Sequence, residues 1–243
     1  MKKTILALMA AAAFAPALAM AEAGDFVVRL RATYVAPDES SKLGSQTDAT
    51  YGAGTAAALY GAGGSAAKLQ VDDNTIPELD ISYYITKNIA AELILALGTS
   101  HDVKINTLGT GAAVTATGLG SVNLLPPTLT LQWHFLPDQT FDPYAGAGVT
   151  YVRALDRNLT ARTTVGDRFI HVERNSWGAA LQAGFDVNLQ DKWLVNFDVK
   201  KLWFSTDVTL DTQGALGTAS GFRKIDSLDI DPWVISVGFG KKF

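Results

Sequence analysis

Trp233-Val234-Ile235-Ser236-Val237-Gly238-Phe239-Gly240-Lys241-Lys242-Phe243 alternates two kinds of residue with a period of two. Trp233, Ile235, Val237, Phe239 and Phe243 share one face, and Ser236, Gly238, Gly240 and Lys242 share the other. A period of two is that of a β-strand with one apolar face. Lys241 is the single charge on the apolar face, close enough to the end for its ammonium to reach water along the aliphatic stem.

The same pattern recurs upstream. Phe26, Val28, Leu30, Ala32 and Tyr34 oppose Arg29, Arg31 and Thr33; Leu79, Ile81, Tyr83 and Ile85 oppose Asp80, Ser82 and Tyr84. Ile89, Ala91, Leu93, Leu95 and Leu97 flank Glu92, and a fourth strand ending at Phe135 sets Leu129, Leu131 and Trp133 against Thr130, Gln132 and His134. A fifth, from Phe141 to about Arg153, is rich in Gly and Ala and alternates weakly. The sixth and seventh carry Trp177, Leu181, Phe185 and then Trp193, Val195, Phe197 and Val199. Lys201 breaks the parity of the seventh, so a bulge or register change is expected there, and Leu202 and Phe204 face either the interior or the lipid. The count is eight strands.

Lys2 and Lys3 followed by an apolar run that closes on Ala19-Met20-Ala21 reads as a secretory signal peptide over residues 1–21, leaving 22–243 as the exported domain. Removing the two lysines takes the formal charge from −4 to −6, which argues against nucleic acid as a partner. There is no cysteine, hence no disulfide framework or thiolate metal site. With 48% hydrophobic residues but no mature run of about 18 uncharged apolar residues, two classes remain. One is a soluble periplasmic β-protein such as a lipocalin-like carrier, the other an outer-membrane barrel.

Spacing separates them. Short connections at 86–88, 137–140 and 189–192 alternate with long ones at 36–75, 99–121, 154–175 and 211–226, as in a barrel with periplasmic turns and extracellular loops. The first long connection, with Gly52, Gly54, Gly61, Gly63 and Gly64 among alanines, reads as mobile. Phe26, Tyr83, Trp133, Phe141, Trp193 and Phe243 fall at the periplasmic ends of the strands, and Tyr34, Tyr151, Trp177, Trp203 and Trp233 at the outer ends. Two aromatic girdles flanking an aliphatic band belong to a membrane barrel. The expected fold is therefore all-β, an eight-stranded antiparallel transmembrane barrel in contact with outer-membrane lipids of a Gram-negative cell.

Six blocks, in order, resemble the outer-membrane protein W (OmpW) family: Asn88-Ile89-Ala90-Ala91-Glu92-Leu93, Leu125-Pro126-Pro127-Thr128-Leu129, Pro143-Tyr144-Ala145-Gly146-Ala147-Gly148, Ser176-Trp177-Gly178-Ala179-Ala180, Trp193-Leu194-Val195-Asn196 and Asp231-Pro232-Trp233-Val234. The resemblance implies a narrow barrel associated with passive entry of small hydrophobic molecules. Lys200-Lys201 and the long Gly/Ala first connection depart from the pattern.

Sorting the inward residues by height gives a division of labour. Arg29, Arg31, Glu92, Asp186, Asp198 and Lys200 form a polar floor, because charges inside so narrow a barrel must pair. Ile94, Leu124, Val152, Leu202 and Phe204 line an apolar outer funnel for the solute, expected to be roomy beside Gly178 and Ala180. Pro126 and Pro127 lie inside the fourth strand, where each removes a ladder donor, so a lateral gap is expected there. Capture from outside followed by sideways release is the implied route. The rival reading is a structural or adhesive barrel acting through its loops, which a flux assay separates from a channel.

Catalysis and metal binding fare poorly. His101 beside Asp102, and His171 near Glu173 and Ser176, lie in no nucleophile motif, so an enzyme is not expected. The three histidines match no helical ligand pair, and Asp72-Asp73-Asn74 lacks the rest of a calcium loop. No metal or cofactor is expected, and the oligomeric state is not legible.

Overall fold

The computed structural model describes residues 22–96, 99–211 and 221–243. The stretch 1–21, expected from the sequence to be a signal peptide, lies outside the described residues. Eight strands, numbered in chain order with the shorter ones described below, form the wall: β1 (Phe26–Ala36), β3 (Asn74–Tyr84), β4 (Ile89–Ala96), β7 (Thr128–His134), β8 (Phe141–Asp156), β11 (Asn175–Asn188), β12 (Trp193–Asp211) and β14 (Trp233–Lys242). Each pairs antiparallel with its neighbours in that order, and β14 returns to β1 with Val27 opposite Lys242 and Ala36 opposite Trp233. Closure leaves no free strand edge, so every spanning backbone group can be paired within the wall.

Alternation places the side chains. Arg29, Arg31 and Thr33 are fully or almost fully buried, whereas Phe26, Leu30 and Tyr34 between them are exposed to the lipid side. The same parity leaves Trp133, Phe141, Trp193, Phe239 and Phe243 exposed at the end with short turns, and Trp177, Trp203 and Trp233 at the other.

Where the sequence suggests long loops, the chain builds a second storey. β2 (Leu69–Val71), β5 (Thr99–Ile105), β6 (Gly118–Leu125), β9 (Asn158–Ala161), β10 (Arg168–Val172) and β13 (Phe222–Asp229) continue the sheet outward, while β8 and β12 run on into it. The fourth strand is accordingly two, β6 and β7, separated at Pro126-Pro127.

The first long connection is packed rather than mobile. It folds into α1 (Leu43–Tyr51) and α2 (Thr55–Tyr60), and Leu43, Ala56 and Tyr60 join Leu69, Ile105, Leu159 and Ile170 in one apolar core. Its glycines serve close approach: a β-carbon on Gly44 would lie 2.1 Å from Gly64 O, and one on Gly61 2.1 Å from Gly109 O. Gly52, Gly54, Gly61 and Gly63, with φ of +110°, +87°, +86° and +80°, make the turns between the helical pieces.

The seventh strand carries no bulge at Lys201. β12 keeps its register on both neighbours through Lys201, opposite Leu181 and Trp233, and its irregularity falls instead between Val208 and Thr209. Lys201 stays on the outer face because it has partners there: Nζ lies 3.0 Å from Asp38 Oδ2, donates to Asp231 O at 2.5 Å, and sits 5.0 Å from the Trp233 ring centre.

Candidate functional site

The lumen is stacked in three layers. At the periplasmic end, Val27, Tyr84, Ala90 and Leu194 form a fully buried apolar cluster. Above it lies the floor. Arg29 donates to Asp186 through Nη2 at 2.6 Å and Nε at 3.3 Å, and reaches Glu92 Oε1 at 3.3 Å. Arg31 contacts Glu78 at 3.2 Å, Asp80 at 3.0 Å and Glu92 at 3.1 Å. Lys200 Nζ bridges Glu78 Oε1 at 3.0 Å and Asp198 Oδ1 at 2.8 Å. Gln132 and Gln182 donate to Glu92 Oε2, and Tyr144 to Asp198. Arg29, Arg31, Glu92, Asp186, Asp198 and Lys200 are thus brought into one network. Glu78, Tyr144 and Asp142 belong to the same layers and were not singled out in the sequence. Glu78 shares the parity of Asp80, and starting that strand at Leu79 instead of Asn74 hides it.

The third layer is a cavity. Ile94, Leu124, Val152, Leu202 and Phe204 all line it, with Ile76 and Val234. Leu202 and Phe204 therefore face inward. Along β12 the lining runs from Lys200 to Val208, eight residue steps and about 26 Å at roughly 3.3 Å each. The space open to the centres of water-sized molecules is about 80 Å³. One water needs only about 10–15 Å³ on this measure, so a small organic molecule fits. Gly178 and Ala180 do not provide this room, since a β-carbon on Gly178 would lie 2.7 Å from the Phe204 Cβ and 2.9 Å from the Thr150 methyl. A smaller cavity above, between the helices and the outer strands, is lined by Leu43, Leu59, Tyr60, Ile105, Ile170 and Leu210.

Pro126 lines the cavity and both prolines are half-buried. On one side, among the described residues, β4 pairs with β7 as far as Ile94 opposite Thr128 and β5 pairs with β6 from Thr99 opposite Leu124, with residues 97–98 between them outside the described residues. On the other, β8 spans the prolines: Thr150 faces Thr128, Arg153 faces Leu125, and Tyr151 N–H donates to Pro127 O at 3.0 Å.

The candidate catalytic groups are kept apart. His101 Nδ1 lies 2.9 Å from Asp72 O, while Asp102 accepts from Ser121. His171 stacks on Phe222 at 3.9 Å, while Glu173 and Ser176 line the cavity. Asp72 pairs with Lys104 and Asp73 accepts from Tyr34, which accounts for the acidic run. One set the spacing does not show is His134, Asp142 and Asp186, whose ligand atoms lie within 4.8 Å of one another. His134 Nδ1 is already 2.7 Å from Asp142, and Asp186 is held by Arg29 and Asn196, so a cation there would have to displace a guanidinium.

Relatives share this architecture. Outer membrane protein W of Vibrio cholerae is 34% identical over 247 residues, covering 100% of both chains. An uncharacterized outer-membrane protein of Sinorhizobium fredii, y4mB, is 42% identical over 175 residues, 72% of this chain and 69% of that one. The crystal structure of OprG from Pseudomonas aeruginosa superposes with a TM-score of 0.73 at 29% identity, covering 91% of this chain and 97% of that one. The solid-state NMR structure of AlkL in lipid bilayers gives 0.59 at 25% identity, covering 94% of each. The OmpW family model matches residues 22–243, the whole of the barrel and its outer storey. The chain is therefore an outer-membrane β-barrel of Gram-negative type and belongs to the OmpW family.

Proposed function

We propose that the barrel is a passive conduit, not an enzyme, through which small hydrophobic molecules enter the outer membrane. The observation that carries this reading is an apolar cavity set directly on a buried, ion-paired floor. A hydrophobic solute gains about 25 cal/mol per Å² of apolar surface on entering the cavity. Continuing downward would part pairs such as Arg29–Asp186, and breaking a buried pair costs about 3–5 kcal/mol. The solute's way out is sideways, past Pro126 and Pro127 into the hydrocarbon of the membrane. Its way in passes the cavity beneath α1 and α2. One relative, 27% identical over 74% of this chain, is named for a dibenzothiophene metabolism operon, and dibenzothiophene is a solute of this apolar kind.

Uptake of a hydrophobic solute by cells carrying Ile94→Asp, beside cells carrying Asp186→Asn, tests the route. The first substitution places a charge in the cavity and should lower uptake at least tenfold. The second touches only the floor and should largely preserve it. Normal uptake by Ile94→Asp, or free passage of small ions through the wild-type floor, would overturn the reading.

A further inference from the structure

The cavity walls are largely apolar, with His101, Glu173, Ser176 and Thr206 among the few polar side chains on them, and at the base Glu78 and Lys200 form part of the lining. An ammonium carries three donors. Lys200 uses two, on Glu78 Oε1 and Asp198 Oδ1, and makes no third hydrogen bond among the described residues. Glu78 accepts from Arg31, Lys200 and Ser236, all at Oε1, and its Oε2 takes no hydrogen bond among the described residues. Lys200 Nζ lies 3.0 Å from Glu78 Oε1, the oxygen on the same carboxylate as the spare acceptor, so one spare donor and one spare acceptor share the cavity base, which Ile76, Ile94 and Leu202 also line.

From this we infer that the cavity base is a head-group site for a neutral hydroxyl, so that the preferred solutes are monohydroxylated hydrophobic molecules, such as medium-chain alcohols, rather than bare hydrocarbons. The inference rests on the conduit reading above and names its substrate class. A hydroxyl both donates and accepts, and therefore satisfies Glu78 and Lys200 together. A carboxylate would satisfy Lys200 but meet the Glu78 carboxylate; an alkylammonium would satisfy Glu78 but meet the Lys200 ammonium. A bare hydrocarbon leaves two charged groups facing an apolar surface, which buried polar groups do not tolerate without cost.

The test uses the full barrel in lipid nanodiscs and measures binding of octane, 1-octanol, octanoate and octylamine, each relative to its partitioning into protein-free nanodiscs. Octanol should bind about tenfold more tightly than octane, the order expected for hydrogen bonds to charged groups, and more tightly than either ion. In the double variant Glu78→Gln with Lys200→Met, the preference for octanol over octane should shrink to within about twofold while octane still binds. Equal binding of octanol and octane by the wild-type barrel overturns the head-group site but leaves the conduit standing. Tightest binding of octanoate or octylamine overturns it in favour of a charged head. Absence of binding by all four defeats the conduit reading itself. Because the wild-type comparison decides the matter alone, misfolding of the double variant does not shelter the proposal.

Discussion

Arg29 Nη2 lies 2.6 Å from Asp186 Oδ2 although β1 and β11 stand three places apart in the wall. The guanidinium crosses the lumen and draws non-neighbouring strands together, doing in a narrow barrel what a packed apolar core does in a soluble one. Both side chains are essentially fully buried, so removing one strands the other. Arg29→Met should cost about 3–5 kcal/mol, because it leaves Asp186 without its cation and Glu92 with Arg31 alone. Asp186→Asn keeps an acceptor and should cost less. Urea titration of the reconstituted barrel checks the order, and an Arg29→Met barrel within about 1 kcal/mol of wild type would contradict the cross-lumen tie.

Close backbone approach in the cap formed by α1, α2 and the outer strands packed against them makes a local prediction. Gly44→Ala places a β-carbon 2.1 Å from Gly64 O and 2.6 Å from the Ser65 backbone, none of which can step aside. Overpacking of this kind costs about 1–3 kcal/mol. Amide exchange at Gly52 and Gly61, which close α1 and α2, should accelerate, while strands β1 and β14 keep their protection. Gly118→Ala is the control, since no atom lies within 4 Å of its β-carbon position. Equal protection of the cap in the two variants would show that the helices are not seated as described.

The cap is also tied down by a carboxylate. Asp226 on β13 accepts from Ser41 Oγ and, at 2.9 Å, from the Lys42 N–H, while Ser41 Oγ accepts from the Leu69 N–H at 2.8 Å. Burial pushes the Asp226 carboxyl above its usual range, and the hydrogen bonds from Ser41, Lys42 and Ser227 offset this only in part. A carboxyl whose pKa is raised by folding binds its proton more tightly in the closed cap than in the open one. Its stabilising contribution is complete below the ordinary carboxylate pKa and is lost as pH rises through the raised value. Exchange protection of the Leu43 and Leu69 amides, corrected for intrinsic rates, should therefore be greater at mildly acidic pH than at neutral pH. Asp226→Asn should flatten that dependence; an unchanged slope in the variant would exclude Asp226 as its source.

The wall was legible because lipid on one side and a filled lumen on the other impose a strict period of two, as in Phe26 to Tyr34 and in β14. β8 reads weakly for a physical reason. A β-carbon on Gly148 would lie 2.0 Å from Leu129 O, and one on Gly146 3.1 Å from the side chains of Gln132 and Gln182. The lumen is so full there that the pattern loses its polar half. The cap was misread because close packing and chain flexibility both select glycine, and composition alone does not separate them. Lys201 was misread because a charge on the lipid-side parity suggests a register change, whereas Asp38 and the Asp231 carbonyl at the outer rim make the outward position favourable. Glu78 is legible from the parity of Asp80 once that strand is begun at Asn74, but the pairing of the floor depends on which strands face each other across the lumen, and no local spacing encodes that.

Lateral exit turns on Pro126 and Pro127, which lack the N–H groups a strand would offer to its neighbours. β8 spans them, with Tyr151 N–H bound to Pro127 O, so the exit proposed above lies on the other side, toward β4 and β5. Replacing both by valine restores two donors with side chains of similar bulk and strong strand preference. The double variant Pro126→Val with Pro127→Val should fold at least as stably as wild type, because the ladder between Ile94–Thr128 and Thr99–Leu124 can then close. Uptake of a hydrophobic solute should fall about tenfold or more if this side is the exit; roughly 1.4 kcal/mol on the opening step suffices for a tenfold change. Binding of an apolar fluorophore in the cavity should persist, since Ile94, Leu202 and Phe204 are untouched, and this separates a closed exit from a collapsed pocket. Uptake at the wild-type rate with binding intact would place the exit elsewhere in the wall.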